Sequence, residues 1–152
     1  MLLKTHLAIT LFFILLLMDA VENKIVFLIV AIIATYLPDI DSRYSTLGRK
    51  KINRILQVFT KHRGIIHSYT FLLTITLFFV LFLPVAALGF FLGYSLHLLA
   101  DSFTKDGIRP FYPLKAISKG MIKTGGKVEM GLLVGLVFLD IILLLVKISN
   151  VF

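Results

Sequence analysis

From Ile65 to Ala100 the chain is apolar almost without interruption, and that run constrains the fold more than any other feature. About 20 residues suffice to carry a helix across the hydrocarbon of a bilayer. This run is much longer, and Pro84 near its middle lacks the N–H that an unbroken helix would use. It therefore reads as a helical hairpin, one helix over 64–83 and the next over 85–103. Other apolar runs at 2–18, 21–37 and 128–146 have the same character. Hydrophobic residues make up 59% of the 152, against about 45–50% in soluble domains. A chain this small cannot hide that much apolar surface in its own core, so lipid must cover the remainder. The expected fold is all-α: a single membrane-embedded domain over 1–152 with about five transmembrane helices.

The first run, with Lys4 ahead of it, also has the outline of a secretory signal. Residues 18–21 make a poor cleavage site, and His6 belongs with other motif-like histidines, so the segment is expected to remain as a helix.

Basic residues orient the bundle. Lys and Arg number 16 against 8 Asp and Glu, for a net charge of +8. If the N-terminus is cytoplasmic, Lys4, the basic residues of 43–63 and those of 105–127 fall inside, and Lys24 and Lys147 fall outside. Fourteen against two is a strong positive-inside asymmetry. It predicts N-terminus in, five spans and C-terminus out. Part of the charge could instead meet an anionic partner such as lipid headgroups or phosphate esters. Within the first basic loop, Leu47, Ile52, Ile55, Leu56 and Phe59 share one helical face. That predicts a short amphipathic helix over 47–59, lying on the membrane surface or packed over the bundle.

With this topology, the polar residues near the spans collect at one level. His6 opens the first helix, Asp39 and Asp41 follow the second, His62 and His67 flank the start of the third, and His97 and Asp101 close the fourth. All are expected at the inner face, in an orientation derived from Lys and Arg alone. Imidazole and carboxylate inside or beside a span are costly unless paired, wetted or bound to an ion. Together they are a ligand mix for Zn, Mn or Fe. The absence of Cys excludes thiolate sites and disulfides.

Each piece also has a plainer reading. His97 and Asp101 share a helical face at i,i+4 and can grip one ion or two, or simply bond to each other. Asp39 and Asp41 lie about 200° apart on a helix; in a turn after Pro38 both could point inward, or they could be helix-end polar groups. His67 is an inward ligand, and His62 a ligand or an acid/base. Arg63 could clasp a phosphate with its planar fork or serve as one more inside charge. His6 could be a core histidine. Glu129 opens the last helix as a candidate metal ligand or a group supporting one, and Asp140 in its middle has no assigned role.

The motifs LPDIDS (37–42), HRGIIHS (62–68) and GYSLHLLADSFTKDGIRPFYP (93–113), preceded by an early His, resemble the membrane-bound metal-dependent hydrolase family. That family is also described as LexA-binding, inner-membrane-associated predicted hydrolases, the YdjM-like group. The likeness spans roughly 1–113, and its most specific parts are HRGxxHS and the HxxxDSxT element. It implies a bacterial or archaeal hydrolase of the inner (plasma) membrane with a metal centre. The order His, Asp, His, HxxxD is also similar to that of zinc-dependent phospholipase C and related single-strand nucleases. By that similarity His6, Asp39, His67, His97 and Asp101 would be metal ligands. The later HxxxE ligands of those enzymes and their Trp are missing, so one or two ions are expected rather than three, Zn favoured over Mn or Fe.

The leading expectation is metal-assisted cleavage of a phosphoester, in a phospholipid or other anionic lipid-linked substrate, at the cytoplasmic face. Asp41 or His62 would act as base or orient the water, and Arg63, Lys105 and Arg109 would neutralise the phosphate. The alternatives are an ion or proton transporter, and a non-catalytic adaptor for a soluble partner. The basic loops lack the aromatic interleaving of a nucleic-acid surface, so direct nucleic-acid binding is not expected. Short spans favour self-association into homo-oligomers.

Overall fold

The computed structural model describes residues 1–41 and 64–149. It is an all-α membrane bundle, with five α-helices among the described residues: α1 Leu3–Leu17, α2 Lys24–Tyr36, α3 Tyr69–Phe82, α4 Pro84–Ser102 and α5 Lys127–Ser149. Short 3-10 turns extend α1 over Met18–Ala20 and α2 over Leu37–Asp41. Among the described residues there is no β-strand, only isolated bridges at Thr104–Ile122 and Ile108–Ser118. The amphipathic helix expected at 47–59 lies outside the described residues.

Three segments are long and apolar enough to cross a bilayer: Leu3–Ala20, Pro84–Ser102 and Lys127–Ser149. The 13 residues of α2 and 14 of α3 reach only about 20 Å at 1.5 Å per residue, short of the roughly 30 Å hydrocarbon core. The third helix also begins later than its apolar run. Ser68 caps it, accepting from Phe71 N–H at 3.2 Å, so 64–68 form a separate turn bearing His67. Pro84 starts α4, as the hairpin reading requires, after a break at Leu83.

α2 and α4 form the centre and run side by side in the same direction. Gly89 lies against Phe27, Gly93 against Ala31, and His97 against Thr35. Close approach depends on the glycines: a Cβ on Gly93 would sit 2.0 Å from the Ala31 carbonyl oxygen. α3 folds back on α4 through Phe71, Phe79, Phe90 and Tyr94. α1 packs on α2 and α4, whereas α5 contacts α1 alone among the described helices. Its contact stripe is Glu129, Leu133, Leu136, Asp140, Leu143 and Lys147, at alternating spacings of four and three. The ends of that stripe are pinned, Glu129 to the start of α1 and Lys147 to Asp19. The outward faces are apolar, as at Phe82 and Val134, which suits lipid contact.

Candidate metal centre

Four residues recur at intervals of four along α4: Gly89, Gly93, His97 and Asp101. On a helix they form one stripe. Its glycine half admits α2 at close range, and its polar half is thereby carried into the bundle, where His97 is 0% and Asp101 2% exposed. The His97 Nδ1 lies 2.9 Å from the Thr35 carbonyl oxygen of α2. A carbonyl only accepts, so Nδ1 carries the proton and Nε2 presents a bare lone pair. That nitrogen is buried with no hydrogen-bond partner among the described residues. It faces Asp39 Oδ1 and Asp101 Oδ2, each at 3.9 Å.

The other elements bring their groups to the same point. His6, buried in α1, stacks on His97 with ring centroids 3.9 Å apart and places Nε2 3.3 Å from Asp101 Oδ1. His67, buried ahead of α3, places Nε2 3.9 Å from Asp101 Oδ2. The turn holding it is braced by Tyr94, whose hydroxyl donates to the Ile66 carbonyl at 2.5 Å. Asp39 comes from the 3-10 turn Leu37–Asp41 after α2, next to Pro38. Burial pushes its carboxyl above the usual carboxylate range, against the pull of His6 and His67. The α-amino group of Met1 lies 2.6 Å from Asp101 Oδ1.

Thus His6, Asp39, His67, His97 and Asp101, drawn from four parts of the sequence, converge. Two triads have ligand atoms all within 4.8 Å of one another: His6–His97–Asp101 and Asp39–His67–His97. Two ligands about 2.1 Å from one ion at a tetrahedral angle stand roughly 3.4 Å apart, close to the 3.3–3.9 Å separations here. The unpartnered Nε2, the tautomer set by a backbone carbonyl and the mixed N/O donor set all suit a divalent metal. The side chains of Asp41, His62 and Arg63 lie outside the described residues.

Glu129 is not among the converging groups. It is fully buried and receives the Leu2 N–H at 2.5 Å, the Thr5 hydroxyl at 2.9 Å and the Gly125 N–H at 2.6 Å. It caps the first turn of α1 and so holds His6 in place. Thr35 has no signature of its own in the sequence. Its hydroxyl donates to the Ala31 carbonyl at 2.8 Å and shares a bond with Thr10 at 2.9 Å. It therefore joins α1 to α2 at the level where its carbonyl meets His97. The signal that could have revealed it is the four-residue glycine spacing, which sets the register of α2 against α4.

The family model for the YdjM inner membrane protein matches residues 1–150. The chain belongs to the YdjM inner membrane protein family. Its relatives include the inner membrane protein YdjM of Escherichia coli (strain K12) and that of Shigella flexneri, each 36% identical over 94 residues. That match covers 56% of this chain and 48% of either relative, so the chain spans about half the length of the curated relatives it matches. No solved structure matches it. Family membership and the apolar helices make this an inner-membrane-type protein with transmembrane helices.

Proposed function

We propose that this protein is a membrane-embedded metal-dependent hydrolase that cleaves a phosphoester of an anionic, lipid-linked substrate at the cytoplasmic face. The observation that carries the reading is the bare, buried Nε2 of His97, held toward two carboxylates and two further imidazoles. A divalent ion bound there, with Zn favoured over Mn or Fe, would supply Lewis acidity toward a phosphoryl oxygen and an acidified water. His97 and Asp101 would hold it from α4, His6 from α1, and Asp39 and His67 from the two turns. His97 has only one lone pair to give, because Nδ1 is committed to Thr35. The two triads therefore compete for that atom, which favours one ion with a mixed ligand set over two separate ones.

In this reading Asp41 or His62 orients the attacking water or takes its proton, and Arg63 neutralises phosphate charge. In the same reading the five helices make five passes with the N-terminus inside, which the positive-inside asymmetry supports. Short α2 and α3 leave the site below the headgroups, where a lipid can approach from the side.

The test is metal content by mass spectrometry on detergent-purified protein, with His97→Ala and Asp101→Ala beside the native chain. About one equivalent in the native protein, lost in both variants, is the expected result. It would be followed by release of phosphate or headgroup from anionic phospholipids. Absence of metal after reconstitution with Zn, Mn and Fe would refute the metal centre. Metal without turnover of any phosphoester would refute the hydrolase.

A further inference from the structure

The segment joining α4 to α5 leaves the bundle just after Asp101 and Ser102 and returns at Lys127. It is an ordered structure. Ile108 is buried in the core beside Tyr94 and Leu98. The Tyr69 N–H donates to the Pro110 carbonyl at 2.8 Å, and Ile108 and Ser118 exchange two backbone bonds of 2.9 Å. Gly107, at φ 68°, turns the chain where a Cβ would lie 2.2 Å from the Ser118 carbonyl oxygen.

A segment held this firmly could have turned its apolar side chains inward, but it presents them. Phe111 is 56%, Leu114 64% and Met121 91% exposed. Interleaved with them, Lys115, Lys119, Lys123 and Lys127 recur at every fourth position, all exposed. Lys105 and Arg109 add to the charge, and Asp106 is the one acid between 103 and 127. Water alone would not favour the apolar groups, and a dry protein interface would not favour so many lysines. A headgroup layer accommodates both, with acyl carbon below and anionic phosphate above. The segment also starts where a membrane-crossing helix ends, at the depth of that layer.

We infer that residues 103–127 form a lipid-binding platform lying in the headgroup layer beside the His/Asp cluster, its apolar side chains inserted and its lysines on anionic phospholipid headgroups. This surface stands independently of any hydrolytic activity.

The chain has no Cys, so Met121→Cys can be labelled uniquely with an environment-sensitive fluorophore. The full chain is placed in nanodiscs of phosphatidylcholine alone, or of phosphatidylcholine with phosphatidylglycerol. The label is then quenched in turn by a headgroup-level lipid quencher and by aqueous acrylamide. The expected result is strong lipid quenching and severalfold weaker acrylamide quenching, with the shielding deeper in phosphatidylglycerol. Lys115→Gln, Lys119→Gln and Lys123→Gln combined, or high salt, should return it to the phosphatidylcholine level. Leu114→Cys supplies a second labelling position if the first variant does not fold. Free access of acrylamide in both discs would overturn the platform and indicate a surface for a soluble acidic partner. Equal shielding in both lipids would overturn the recognition of anionic headgroups.

Discussion

Adding one methyl group at Gly93 tests the packing that positions the site. A Cβ there lies 2.0 Å from the Ala31 carbonyl oxygen and 3.0 Å from Thr35 Oγ1, both on α2. The nearer atom is backbone, so no rotamer change relieves the clash. Ordinary contact begins at 3.4 Å, which requires α2 to withdraw from α4 by about 1.4 Å at that level. One turn further on, Thr35 bonds His97 Nδ1 at 2.9 Å, and the same withdrawal takes that pair beyond hydrogen-bonding range. Asp39, carried on the end of α2, moves with it. Overpacking of this kind costs about 1–3 kcal/mol, and loss of the group orienting a ligand histidine weakens metal binding by about 10–100-fold. Gly93→Ala should therefore melt at a lower temperature and bind Zn more weakly in competition with a chelating dye. Gly131→Ala is the matched control, because a Cβ on Gly131 meets nothing within 4 Å; it should leave Zn binding unchanged and should not lower the melting temperature. If Gly93→Ala behaved like Gly131→Ala, the close α2–α4 register and the role of Thr35 in aiming His97 would both be wrong.

Other substitutions separate support from chemistry. Glu129→Ala strips the Leu2 N–H, the Thr5 hydroxyl and the Gly125 N–H of their acceptor. It should lose about 1–3 kcal/mol for each donor that stays buried, read as a drop in Tm, while Glu129→Gln should lose less; equal Tm values for Ala and native would remove Glu129 from the support of α1. Asp140 is buried within α5, and its Oδ1 has no hydrogen-bond partner among the described residues. Asp140→Leu should therefore raise the melting temperature in a bilayer, and a fall would show that the carboxyl has a stabilising role. Metal affinity should decline on acidification, since protons compete for every ligand. Burial raises the Asp39 carboxyl, so its protonated form persists to higher pH than in a free aspartate and its competition begins there. Asp39→Asn removes one carboxylate donor and should weaken Zn binding in dye competition at neutral pH; an unchanged affinity would exclude Asp39 as a ligand.

Much of the candidate site could be read directly from the chain. His97 and Asp101 share a face because four residues make about one helical turn. His6, Asp39 and His67 could be assigned to the same level because basic residues orient each span. The hairpin at Pro84 was legible because proline has no N–H to give. Other features were hidden. The third helix starts at Tyr69 because the Ser68 hydroxyl competes for the Phe71 N–H, a local choice that an apolar run does not display. The 105–127 segment reads as a loop by its Gly and Pro content, although Ile108 anchors it in the core.

Composition and the order of charges by themselves determined that this chain is a helical membrane protein, and pointed to one shared level for His6, His67 and His97. Burying an apolar side chain or leaving a lysine outside the bilayer is a property of each residue, and such terms add along the sequence. Only the tertiary structure decided that α2 lies alongside α4 in the register set by Gly89 and Gly93, that Thr35 thereby selects the tautomer of His97, and that Glu129 braces α1 from the far end of the chain. Those are contacts between residues 62 and 127 positions apart. Each depends on the shape of two surfaces at once, which no single segment carries.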